Sequence, residues 1–157
     1  MDPNPESPAT YIATSDEYFA ANTGDKFDII FIDGLHEHNQ VWRDIVNSLN
    51  RLNKNGVIVL HDCNPTSERE QQYSTTPITA FSWQGTVWKA FVKARATLPY
   101  ETCVLTPPNS DSSCGIIDTS RFVNVPSDLP SDFEALTYQD FKAHPEWFDY
   151  RKEYDYE

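Results

Sequence analysis

Two short polar clusters carry the side chains best suited to proton transfer or to holding a divalent cation: Asp33-Gly34-Leu35-His36 and His61-Asp62-Cys63-Asn64. Each supplies one carboxylate and one imidazole. An imidazole titrates near physiological pH and serves as a general base, while carboxylates and imidazoles together ligate divalent metals. The plainer alternative is turn chemistry, since Asp-Gly after a strand is often only a turn and His-Asp can cap a loop through bonds to the backbone. For all four residues together, turn chemistry is the less economical reading. His38 faces away from His36 if both are helical, and reads as a solvated helix-start residue. Cys63 has no activating partner besides His61, so a nucleophile is a minor reading.

These clusters can meet only if neighbouring strands end at them. Phe27 to Asp33 (FDIIFID) is a nearly unbroken apolar run of the kind buried on both faces of a sheet. Residues 37–53 place Val41, Ile45, Leu49 and Leu52 at helical spacing, and Asn55-Gly56 reads as the stop. Val57 to Leu60 is a second buried strand. Strand, helix, strand predicts a right-handed parallel βαβ unit, whose ligands bind outside the carboxyl ends of the strands. Asp33, His36, His61 and Asp62 then share one crevice.

Around this unit the elements are shorter. Residues 1–9 form a Pro-rich lead-in, and Tyr11 to Thr14 a short strand. Ser15 reads as the cap of a two-turn helix with Asp16 and Glu17 in its first turn and Asn22 and Gly24 as its stop. Residues 63–82 read as a long loop with room for one short helical turn, and residues 84–97 as a helix with Val87, Phe91 and Ala94 on one face. Trp88 and Phe91 belong to the core, and Trp42 covers the sheet. Tyr100 to Thr106 and Gly115 to Thr119 flank Pro107, Pro108, Asn109 and Ser110 as an antiparallel hairpin.

Composition excludes several partners. With 24 acids against 12 bases and a net charge of −12, the chain lacks the basic surface that nucleic acids or anionic membranes require. Its five glycines are scattered, so no Gly-rich phosphate loop exists, and three unpaired cysteines fit free thiols in a reducing compartment. The start has no signal-peptide pattern and no apolar run is long enough for a membrane span, so a cytoplasmic location is expected. Residues 127–157 hold nine acids, three bases and eight aromatics. They read as an acidic, aromatic C-terminal extension to a domain of residues 1–126. Part of it is expected to dock, through a short helix running from a Thr137 cap to Phe141.

The string from Phe27 to Pro65, FDIIFIDGLHEHNQVWRDIVNSLNRLNKNGVIVLHDCNP, resembles the class I S-adenosylmethionine-dependent methyltransferases. It is most similar to the subgroup with I-D-G-x-H after the fourth strand and H-D or D-D after the fifth. Gly85 to Ala90 (GTVWKA) is similar to a helix start in related sequences, and the hairpin would be the family's antiparallel sixth and seventh strands. The resemblance implies an α/β, Rossmann-like sheet with a C-terminal antiparallel hairpin, truncated at the N-terminus because the first strand and its glycine loop should precede Asp2. It implies that Asp2 meets the cofactor's ribose, that Ser15 and Asp16 face the adenine, and that Asp33 sits beside the methionyl end. His36, His61 and Asp62 would face the acceptor, His36 and His61 as general bases. Asp33 and Asp62 would be the metal ligands where relatives hold a divalent cation such as magnesium.

The implied activity is methyl transfer to a small hydroxylated acceptor such as a sugar or metabolite, with S-adenosylmethionine as cofactor. A metal-dependent hydrolase using the same four residues, and a non-catalytic module binding a partner through its tail, are the competing readings. Without a first strand the Phe27–Asp33 strand keeps an open edge, which predicts that the Tyr11 segment fills it or that two chains associate into a homo-oligomer.

Overall fold

In the computed structural model, which describes residues 1–21, 24–72, 83–106 and 113–155, the first helix α1 spans Ser15–Ala20. Its cap is Thr14, not Ser15. The Thr14 hydroxyl accepts from the Glu17 backbone N–H, and the Glu17 carboxylate accepts from the Thr14 N–H at 2.9 Å, a reciprocal pair of the kind that stabilises a helix by about 1 kcal/mol. Ser15 has no residue able to return such a bond three positions on. The expected stop at Asn22 lies outside the described residues.

The βαβ unit forms as expected, but its first strand is not buried on both faces: Phe27, Ile29 and Phe31 on its outer side are exposed. Strand β1 (Phe27–Ile32) pairs in parallel with β2 (Leu52–Leu60), and α2 (His38–Leu49) crosses between them. Two boundaries differ from the sequence reading. Leu52 belongs to β2 and not to the helix, which ends at Leu49 with its cap at Asn50. Asn55-Gly56 lies inside β2, where Asn55 takes φ 66° and the register jumps from Phe27↔Leu52 to Ile29↔Val57. The pair therefore bulges the strand, because Asn tolerates the left-handed region that a bulge needs.

A short helix α3 (Glu68–Gln71) follows, then α4 (Val87–Thr97), β3 (Tyr100–Leu105) and β4 (Cys114–Phe122). The two strands form the expected antiparallel hairpin; its proposed turn at residues 107–110 lies outside the described residues. The hairpin joins through β4, which pairs antiparallel with β2. C-terminal residues add α5 (Tyr138–Ala143), a 3-10 turn at Pro145–Trp147 and the two-residue β5 (Tyr150–Arg151), parallel to β3. The result is an open, mixed five-stranded α/β sheet ordered β1-β2-β4-β3-β5.

The main core lies between the sheet and the layer of α2 and α4. Ile45, Ile58, Leu60, Trp88, Phe91 and Ile117 are fully buried there, and Trp42 packs at its margin under Lys93, whose Nζ lies 4.7 Å from the ring centre. The extension belongs to this core: Tyr138, Phe141, Trp147 and Phe148 are buried in it, and Thr137 caps α5 as expected. A smaller cluster of Val57, Cys103 and Ile116 occupies the opposite face under Tyr154.

β1 remains an edge. The Tyr11 segment does not cover it; that stretch forms only a single bridge, Asp2↔Ile12, instead of a strand. All three cysteines are free, and among the described residues no helix is long and apolar enough to cross a membrane.

Candidate functional site

β1 and β2 end side by side, and the backbone N–H of His61 donates to Ile32 O at 3.0 Å, so the register carries one residue past the strands. The two polar clusters therefore converge. Asp33 Oδ1 lies 3.3 Å from His36 Nε2 and 3.4 Å from His61 Nδ1. Asp62 places one carboxylate oxygen 3.3 Å from His36 Nδ1 and the other 3.1 Å from His61 Nδ1. Asp62 is buried and takes φ 59°, a conformation that costs backbone energy outside glycine and clusters at functional sites. Asp33, with 43% of its side chain exposed, is the open carboxylate of the group.

The two histidines differ in their bonds. His36 Nδ1 donates to the Trp83 carbonyl at 2.9 Å, and its ring stacks on the Trp83 indole. His61 packs edge-on against Phe31, and its buried Nδ1 makes no hydrogen bond among the described residues. Asp33, His61 and Asp62 offer ligand atoms that all lie within 4.8 Å of one another. Two carboxylates and an imidazole around an unpartnered nitrogen form a donor set that fits a divalent cation, with the imidazole favouring a transition metal or zinc over magnesium. His61 thus joins the Asp33 and Asp62 pair, while His36 stays with Trp83.

Next to Asp33 a cavity of about 260 Å³ opens between β1, α1 and α2, lined by Ser15, Phe19, Phe31, Asp33, Asp44 and Ser48 among others. The sequence places Asp44 among the polar residues off the apolar face of the helix and does not single out Ser48, yet both are buried here. The Asp44 carboxylate is buried, accepts from Gln40 Nε2 at 3.0 Å, and burial raises its pKa above the ordinary carboxylate value. Their signal was available, since Asp44 and Ser48 are polar residues on the inward helical stripe beside Val41 and Ile45.

The other predicted residues stand as follows. Ser15 accepts from Gln40 Nε2 at 3.1 Å, and Asp16, exposed, accepts from Gln40 and Arg43. Asp2 is engaged locally: its carboxylate accepts the Asn4 N–H at 2.8 Å, which holds its pKa below the ordinary value. His38 is not solvated. It sits in a half-buried niche with Nδ1 3.3 Å from the Thr86 hydroxyl and Nε2 3.0 Å from the Glu134 carboxylate, tying the start of α2 to the extension. Cys63 is fully buried and desolvation pushes its thiol far up, so it is no nucleophile. Trp88 and Phe91 are core, as expected.

Residues 6–63 match a family model described as a methyltransferase domain. Over that stretch the chain is similar to methyltransferase domains. All four converging residues fall inside the matched segment, and the parallel β1-β2 pair with its flanking antiparallel hairpin is consistent with the Rossmann-like sheet of such domains. Comparison with the curated proteins and with the solved structures returned no match.

Proposed function

We propose that the chain works as an S-adenosylmethionine-dependent methyltransferase on a small hydroxylated acceptor, with His36 as the general base. The observation that supports it is the convergence of Asp33, His36, His61 and Asp62 at two parallel strand ends, beside a cavity that Asp33 shares. That cavity suits a cationic ligand with an apolar body: Asp33 supplies negative charge, Ser15 a hydroxyl, and Phe19 and Phe31 apolar walls. The bound cofactor would supply a methyl group on a positively charged sulfur.

The chain's own residues then have two tasks, alignment and deprotonation. His36 Nδ1 faces the Trp83 carbonyl and Nε2 faces Asp33 Oδ1 at 3.3 Å, so Asp33 would stabilise the imidazolium formed when the ring takes the acceptor proton. His61 and Asp62 orient the acceptor, with a divalent cation between them and Asp33 where one binds. Ser15 and Asp33 would hold the cofactor; Asp2 and Asp16 would join by releasing the local bonds they now make.

Calorimetry with S-adenosylhomocysteine tests the cofactor, and transfer of labelled methyl groups to a panel of sugars tests the reaction. His36→Ala should lower turnover by about 100-fold or more while binding of S-adenosylhomocysteine changes little. Equal losses in both would refute the base. The Asp33, His61 and Asp62 group also supports the second reading, a metal-dependent hydrolase; tight metal binding without any affinity for S-adenosylhomocysteine would favour it.

A further inference from the structure

At the end of β1 opposite Asp33 lies a second cavity, of about 390 Å³, lined by Phe19, Gly24, Lys26, Asn47, Asn50 and Arg51. Lys26 precedes β1 and Asp33 follows it, so the length of the strand, roughly 20 Å, separates the two sites. Among the described residues the lining holds two cations and two carboxamides and no carboxylate, in a chain with 24 acids against 12 bases. We propose that Arg51, Lys26 and Asn47 form a binding site for a phosphate dianion, free or carried on a small molecule.

Arg51 carries the argument. It is only 8% exposed, yet among the described residues its five guanidinium N–H groups make one long hydrogen bond, from Nη2 to Phe19 O at 3.5 Å, and no ion pair. A buried charge left without a counter-charge is costly, and an anion in the cavity that Arg51 lines removes that cost. Lys26, exposed, donates from Nζ to Asn50 O at 2.7 Å and so caps α2, which leaves two ammonium protons for a ligand. Asn47 is half-buried, and its side-chain amide makes no hydrogen bond among the described residues. The neighbouring Asp28 is turned to Asn53, accepting from its Nδ2 at 2.9 Å. A planar guanidinium spans two oxygens of one phosphate, and the ammonium adds a second positive charge, so the pair matches a dianion better than a single carboxylate. The net charge of −12 repels long polyanions, which restricts the ligand to a small one. This site does not rest on the methyltransferase reading.

Inorganic phosphate titrated into the isotope-labelled full chain at constant ionic strength, with NMR of the Arg51 Nε–H and the Asn47 side-chain amide, tests the site without turnover. Both signals should shift and saturate together at millimolar phosphate, and sodium chloride should move neither. Arg51→Lys keeps the charge but loses the fork, and Lys26→Gln removes a charge at an exposed position. Read through Asn47, each should weaken phosphate binding about tenfold, the worth of one charge-assisted hydrogen bond. Should Arg51→Lys not fold, Lys26→Gln decides alone. Glycerol phosphate binding at least as tightly as inorganic phosphate would assign the site to phosphate carried on a small molecule, and weaker binding would assign it to free phosphate. Shifts that stay linear through the millimolar range, acetate binding as tightly as phosphate, or wild-type affinity in Lys26→Gln would overturn the proposal.

Discussion

The Oδ1 atom of Asp62 sits 3.1 Å from His61 Nδ1, yet that buried nitrogen makes no hydrogen bond to it. A polar atom left unpaired beside two carboxylates is costly unless something cationic shares the space. Manganese or zinc should therefore bind and raise the melting temperature, because a ligand at 100 times its Kd adds about 2.7 kcal/mol to the folded state. Asp62→Asn should abolish the rise. Melting curves that do not respond to metal or to chelator would remove the cation from this site.

A second outcome concerns acid. The Tyr154 hydroxyl donates to Glu101 at 3.0 Å and to Asp118 at 2.7 Å, while Arg121 and Arg151 pair with Glu101. Burial pushes both carboxyls up, but these bonds, with those from Ser120 to Asp118, outweigh it, and both end below their ordinary values of 4.5 and 3.8. A carboxyl depressed in the folded state contributes stability above its unfolded pKa and loses it as pH falls through the folded one. The C-terminal residues 150–155 should loosen as pH drops below about 4, while the parallel strand pair stays protected. Hydrogen exchange at about pH 5 and pH 3 reads this; uniform protection at both would contradict it.

Much of this architecture was written locally. The apolar runs of β1 and β2, the Val41 and Ile45 stripe of α2 and the Thr137 cap are decided by near neighbours, and they appear where pattern places them. Errors arose where a local signal had two meanings. Leu52 continues the helical spacing from Leu49 but starts a strand, because β1 offers it a partner in Phe27. Asn55-Gly56 reads equally as a stop or a bulge, and only the pairing decides. At the site, Asp33, His36, His61 and Asp62 were legible because strand ends meet in a βαβ unit. Trp83 and Glu134 were not, since they reach their histidines across 47 and 96 positions respectively.

The open edge of β1 leads to a third expectation. Ile29 and Phe31 are 62% and 56% exposed on a strand whose outer backbone groups have no sheet partner among the described residues. Such an edge pairs readily with another chain. Self-association should rise with protein concentration in light scattering, and Ile29→Lys should shift the population towards monomer without unfolding it. A strictly monomeric wild type at every concentration would rule out association through this edge.

The last expectation concerns the extension as a structural element. Phe148 is fully buried, with its ring 5.0 Å from that of Phe141 and 6.1 Å from that of Phe91, and its carbonyl accepts from Val104 N–H at 2.9 Å. The ring thus joins α4 to α5, and the main chain of the same residue ties them to β3. Removing a buried phenylalanine ring costs about 3–5 kcal/mol through lost transfer energy and the cavity left behind. Domains of this kind hold only about 5–15 kcal/mol in total, so Phe148→Ala should lower the urea midpoint steeply, and in a single cooperative transition that includes the helical signal of α4. A variant that loses only the C-terminal signal, with the rest melting as in the wild type, would instead make residues 127–157 an independent attachment. The two outcomes are separable by following Trp88, buried in the main core beside Phe141, together with the far-ultraviolet signal of the helices.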